Sequence, residues 1–142
     1  MVAAMKVLLT VIMTWLSSNF ELPAVHDQPN IKFVTQQEMA SMRYGGLALN
    51  TASELVALYD DKTRTILLSD RWTGDTPAEL SVLVHELVHH VQNAAQLTYF
   101  CPEARETLAY AAQEKWLSLF GQSLLTTFEI DPLTLKVRTA CM

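Results

Sequence analysis

The segment His85-Glu86-Leu87-Val88-His89 puts two imidazoles four residues apart with a carboxylate between them. On a helix, residues at that spacing lie about 6 Å apart along the axis and share a face, so one nitrogen from each can reach a single ion at roughly 2.0–2.1 Å. Glu86 falls beside that stripe, where its carboxylate can take a proton from water at the metal without ligating the metal itself. Zinc acidifies water toward a pKa of roughly 7 and polarises a carbonyl, so one carboxylate suffices to take the proton and pass it to a leaving amine. The pattern therefore predicts one zinc ion per chain on His85 and His89, with Glu86 as general base in the hydrolysis of a peptide bond.

A catalytic zinc site keeps three protein ligands and one open position, so a third ligand must come from another segment. The next predicted helix offers Glu103 and Glu106. Glu103 sits in the first turn, where the helix dipole alone accounts for an acidic residue. Glu106 shares a stripe with Ala109, Tyr110, Gln113, Trp116 and Phe120 that should pack toward the histidine helix, and it is the expected third ligand. Tyr99 and Tyr110 are candidate donors to a developing oxyanion, and Gln113 is a candidate to orient a ligand. His90 is turned about 100° from His89 and is expected beside the site or at the surface. His26, in a loop beside Asp27, is expected to be solvated, and Trp72 and Trp116 belong to the core.

The helix that must carry the histidines has a clear start at Thr76-Pro77-Ala78-Glu79: Thr76 can cap, Pro77 suits the first turn, and Glu79 completes a capping box. It should run to about Gln96. Ser81, His85, His89, Gln92 and Gln96 project onto one polar stripe opposite Leu80, Val84, Leu87, Val91 and Ala94, so the histidines are expected on a face the core does not need. After a five-residue connection, a second helix should begin at Pro102-Glu103 and stop at Gly121. Upstream, Ile31 to Val34 alternates as a strand, Gly45-Gly46 marks a break, and the runs Leu55 to Tyr59 and Thr65 to Leu68 flank a hairpin loop over 60–64. Residues Ser69 to Asp75 form a loop, and Asp131-Pro132 predicts a final turn before an extended tail from Leu133 to Met142. Strands followed by a helix pair specify an α+β domain.

A chain of 142 residues, half of them hydrophobic, suits a single domain over 1–142. With a net charge of −5 and only ten Lys and Arg, it has no basic stripe for phosphates, so nucleic acid is not an expected partner. Cys101 and Cys141 match no zinc-ribbon or redox spacing. They are read either as one disulfide tying the tail to the start of the second helix, which implies an oxidising compartment, or as two free thiols in a reducing one. The apolar run Val7 to Leu16 is too short to span a membrane. It fits a signal-peptide segment, but Thr10, Thr14 and Ser17 recur at helical spacing, which favours an amphipathic core helix over residues 1–20. Both a cytoplasmic and an exported location are compatible with these features.

His85, Glu86 and His89, followed by Glu106 in Glu106-Thr107-Leu108-Ala109, resemble the gluzincin branch of the zincin metallopeptidases, in which His-Glu-x-x-His on one helix is completed by a Glu on the next. The resemblance covers roughly residues 55 to 120, and the chain is also similar to small bacterial minimal gluzincin-like domains. It implies a zincin-like fold, with a small antiparallel or mixed sheet of three or four strands over the metal helix, and an edge strand able to pair with an extended peptide or protein substrate. It further implies a zinc peptidase with ligands His85, His89 and Glu106. Full-sized gluzincins have a substantial C-terminal subdomain that walls the cleft and supplies the oxyanion donor. This chain has about twenty residues after Gly121, which implies a wide, shallow cleft. The alternative function is a zinc-stabilised binding or regulatory module with little turnover, for which Glu86 would have no use.

Overall fold

The computed structural model describes residues 2–44 and 56–141, and the predicted break at Gly45-Gly46 lies outside them. The chain is α+β: α1 (Val2–Asn19), β1 (Asn30–Val34), α2 (Gln36–Tyr44), β2 (Ala57–Asp60), β3 (Thr65–Ser69), α3 (Pro77–Ala94), α4 (Ala104–Ser118), α5 (Leu124–Thr127) and α6 (Pro132–Thr139). The sheet is mixed, in the order β1-β3-β2, with β1 parallel and β2 antiparallel to the central β3.

The β2–β3 hairpin is closed by Asp60, whose carboxylate accepts from the Lys62 amide at 3.0 Å and the Thr63 hydroxyl at 2.9 Å. This local bonding is why a short acidic residue suits the turn. Strand periodicity then divides β3 between two cores. Ile66 and Leu68 enter the main one with Leu9, Ile12 and Leu16 of α1, and with Leu83, Val84, Leu87 and Val88 of α3. Leu67 joins Val34 and Met39 in a smaller cluster on the α2 side. In α1, Thr10 and Thr14 are exposed on the side away from these leucines, and Trp15 stands edge-on to Trp116 at 5.2 Å. No helix among the described residues is long and apolar enough to cross a membrane.

Thr76 caps α3 by accepting from the Glu79 amide at 3.1 Å, and Pro77 occupies the first turn. The capping box is not closed, because the Glu79 carboxylate reaches past Thr76 to the amides of Thr73 (3.0 Å) and Asp75 (3.3 Å) and to the Thr73 hydroxyl (2.8 Å). Gly74, at φ 77°, has the Trp72 ring 2.7 Å from where a Cβ would stand, so this loop admits only glycine there. The tight turn lets the Trp72 indole nitrogen donate to the Glu79 carbonyl at 2.8 Å and fixes the entry of α3.

Two local expectations fail. α2 was not foreseen, because Gln36–Tyr44 has little amphipathic signal beyond the buried Met39 and Ala40. The C-terminal segment is helical, not extended: Asp131 caps it through the Thr134 amide at 2.8 Å and Pro132 opens it, the same capping chemistry that starts α3. Cys101 and Cys141 form a disulfide, so the end of α6 is tied to the turn before α4.

Candidate metal centre

α3 and α4 pack side by side, joined by residues 95–103. The helix pair buries the polar stripe of α3 from Ser81 to Gln92, a face expected to be one the core does not need, and leaves Gln96 exposed. Ser81 and Gln92 are 0% and 1% exposed, and His85, Glu86 and His89 are each 8% exposed. The partner of that stripe is Glu106 together with Gln113, both on α4, so a face that looks dispensable in one helix is an interior face of the pair.

His85, His89 and Glu106 bring their ligand atoms within 4.8 Å of one another. Nε2 of His85 and Nε2 of His89 each lie 3.1 Å from Oε1 of Glu106, and Oε2 is 2.7 Å from the His89 nitrogen. The other nitrogen of each ring is fixed from behind. Nδ1 of His85 lies 2.9 Å from Oε1 of Gln113, and Nδ1 of His89 lies 2.9 Å from Oε1 of Gln92. The glutamine orientations are set by their far ends: the Gln92 amide nitrogen donates to the Arg105 carbonyl at 3.1 Å. That of Gln113 donates at 3.2 Å to the Ser81 hydroxyl, which itself donates to the Ala78 carbonyl at 2.7 Å. Each amide oxygen can then only accept, so each Nδ1 carries a proton and Nε2 is the nitrogen that meets Glu106, donating to it when the ring is doubly protonated and offering a lone pair when the ring is neutral. Two neutral nitrogens and a carboxylate, held by buried partners, are a donor set that suits zinc.

Burial would raise the Glu106 carboxyl, but hydrogen bonds from His85 and His89 and their charge outweigh it and hold it well below the usual carboxylate range. Burial likewise pulls the His89 imidazole down, yet its hydrogen bond to Glu106 and the charges of Glu86 and Glu106 place it above the ordinary value. Anionic groups thus surround the point where the Nε2 atoms converge. Glu86 lies on the adjoining edge of α3, and no hydrogen bond or ion pair among the described residues engages its carboxylate.

The family model described as a domain of unknown function (DUF6647) matches residues 2–141. The chain belongs to the DUF6647 family. No curated protein and no solved structure matches it.

In this DUF6647 member the other predicted site residues separate clearly. Tyr110 lies edge-on to His85, with ring centroids 4.6 Å apart, and its hydroxyl accepts from Arg138 of α6 at 3.3 Å. Burial raises the phenol, Arg138 draws it down, and the charges of Glu106 and Glu86 push it up again. Tyr99, by contrast, lines a cleft at the 95–103 connection with Leu97, Phe100 and Arg105 and is not brought to the cluster. Glu103 is exposed and precedes α4 without a side-chain cap bond. Phe120 is 49% exposed because α4 ends at Ser118, before the stripe reaches it. His26 is exposed, as expected.

His90 is neither a surface group nor a neighbour of the cluster. It is 0% exposed on the far flank of α3, its Nε2 2.6 Å from the Asp27 carbonyl and its Nδ1 3.0 Å from the Tyr59 hydroxyl. Sequence reading also missed Gln92 as the support of His89, Ser81 as the anchor of Gln113, and Arg138. For Gln92 and Ser81 the signal was present, because both lie on the histidine stripe.

Proposed function

We propose that the protein is a zinc-dependent peptidase of zincin-like fold, with zinc held by His85, His89 and Glu106. The observation that carries the reading is the convergence of two tautomer-locked imidazoles and a carboxylate on one point, with the Glu86 carboxylate uncommitted beside them. Zinc supplies Lewis acidity in such a site, acidifying water and polarising a carbonyl oxygen. Glu86 takes the proton of the attacking water and returns it to the amine as the bond breaks. Gln113 and Gln92 hold the Nδ1 proton of each ring, so Nε2 is the nitrogen each ring offers at the ligand point. Tyr110, against His85, presents a phenol to the oxyanion. β2 has β3 on one side and no other paired strand among the described residues, which supports an extended peptide pairing along it.

Metal analysis of purified wild type, His85→Ala and Glu86→Gln, alongside a peptide-cleavage assay, tests this. The expected results are one zinc per chain in wild type, none in His85→Ala, and full zinc without cleavage in Glu86→Gln. Zinc retained by His85→Ala would overturn the metal assignment. Full zinc in a wild type that cleaves no peptide would leave the binding-module reading in its place.

A further inference from the structure

The guanidinium of Arg138 stands at the wall of the metal cluster with no carboxylate partner among the described residues. Its recorded contact is one bond from Nη1 to the Tyr110 hydroxyl at 3.3 Å. The neighbouring cation on α4, Arg105, is differently placed, with both its terminal nitrogens on the Asp61 carboxylate at 2.9 and 3.0 Å. Arg138 is exposed, and most of its fork is free to meet an incoming anion. Tyr110 is the spacer: its ring packs on His85 and its hydroxyl touches Arg138. The guanidinium therefore lies beyond the full length of the Tyr110 phenol from a proposed zinc ligand, a span of the order covered by the last few extended residues of a peptide at about 3.3–3.6 Å each.

We propose that Arg138, held on the Tyr110 hydroxyl, binds the free C-terminal carboxylate of a peptide substrate, so that cleavage falls within the last few residues of the chain. This rests on the peptidase reading for its consequence, but not for its binding step. The guanidinium is a cation beside an otherwise acidic site, and a terminal carboxylate is the one group that every such peptide carries at a fixed distance from its last amide. α6 buries no residue of its own, and the Cys101–Cys141 bond begins three residues beyond Arg138, so the disulfide holds the arginine at this wall.

The test is binding of an acetylated tetra-alanine peptide, as free acid and as C-terminal amide, to zinc-loaded Glu86→Gln protein by calorimetry. The acid should bind about tenfold more tightly than the amide, the size expected of one exposed charge-assisted pair. Adding Arg138→Ala should erase the difference without changing zinc content, and reducing the disulfide should do the same. Equal affinity for acid and amide, or a preference that survives Arg138→Ala and so comes from the metal, would overturn the proposal. An acid preference that depends on Arg138, in a wild type that cleaves neither peptide, would uphold the carboxylate site while removing the peptidase reading.

Discussion

The two flanks of α3 hold histidines one residue apart in sequence, His89 and His90, and treat them in opposite ways. On the α4 flank, the Nδ1 proton of His89 is held by Gln92 and Nε2 is turned toward a carboxylate. On the sheet flank both nitrogens of His90 are used: Nε2 donates to the Asp27 carbonyl, and Nδ1 accepts from Tyr59, whose hydroxyl in turn accepts from Asn93 at 3.0 Å. The second arrangement leaves no lone pair for an ion. What sets the candidate ligand apart is therefore not burial, which the two share, but a second nitrogen left facing an acid.

The strongest way to break this contrast is to delete each histidine in turn. His89→Ala should lose stoichiometric zinc, a drop in affinity of about a hundredfold or more, read by metal analysis after dialysis. His90→Ala should keep the zinc and lose about 2–4 kcal/mol of stability in chemical denaturation, since it opens a cavity and strands the Tyr59 and Asp27 partners. Zinc loss in His90→Ala that outpaces unfolding would mean that the two flanks are not independent. A step smaller, Gln92→Leu and Gln113→Leu free one ring each and should weaken zinc by about 10–100-fold in chelator competition, with the fold intact by circular dichroism.

Protonation sharpens the same contrast. Burial holds His90 below its ordinary value of 6.5, so its contribution to stability is present above 6.5 and is lost as the pH falls through its depressed value. The raised His89 does the reverse: its contribution is present below 6.5 and is lost as the pH rises through its raised value. Metal-free His89→Ala should therefore become more stable between about pH 5 and 8, and metal-free His90→Ala less stable, in thermal melts across that range. Added zinc must displace the His89 proton, so the melting shift it produces should grow with pH. The smallest effect belongs to Tyr59→Phe, about 1–2 kcal/mol of stability with zinc content unchanged, because it removes the two neutral hydrogen bonds of that hydroxyl, with His90 and Asn93, on the sheet flank alone.

How much of this could be read beforehand follows from how local each feature is. The spacing of His85 and His89, the Thr76 cap and the choice of Glu106 over Glu103 depend on one helix or on the face of the next, and the structure places all of them where the spacing puts them. The burial of the polar stripe could not be read from α3 alone, because the residues that satisfy it, Gln113 and the Arg105 carbonyl, belong to α4. His90 escaped for the same reason: its partners are 31 and 63 residues away in sequence. α6 has a different cause: Asp131-Pro132 suits a turn and a helix start alike, and only the Thr134 amide bonded to Asp131 decides for the helix.

The helical hairpin also sets an order of events for a chain emerging from synthesis. The groups that converge on the metal point run from Ser81 to Gln113, a separation of 32 residues, so closing that loop is cheap compared with joining Trp15 to Trp116. The three candidate ligands exist once Glu106 has been made, and their supports once Gln113 follows, before Cys141 exists to meet Cys101. On the proposed zinc reading, metal capture can then precede oxidation, with the ion seated when the C-terminal helix is fastened down beside it.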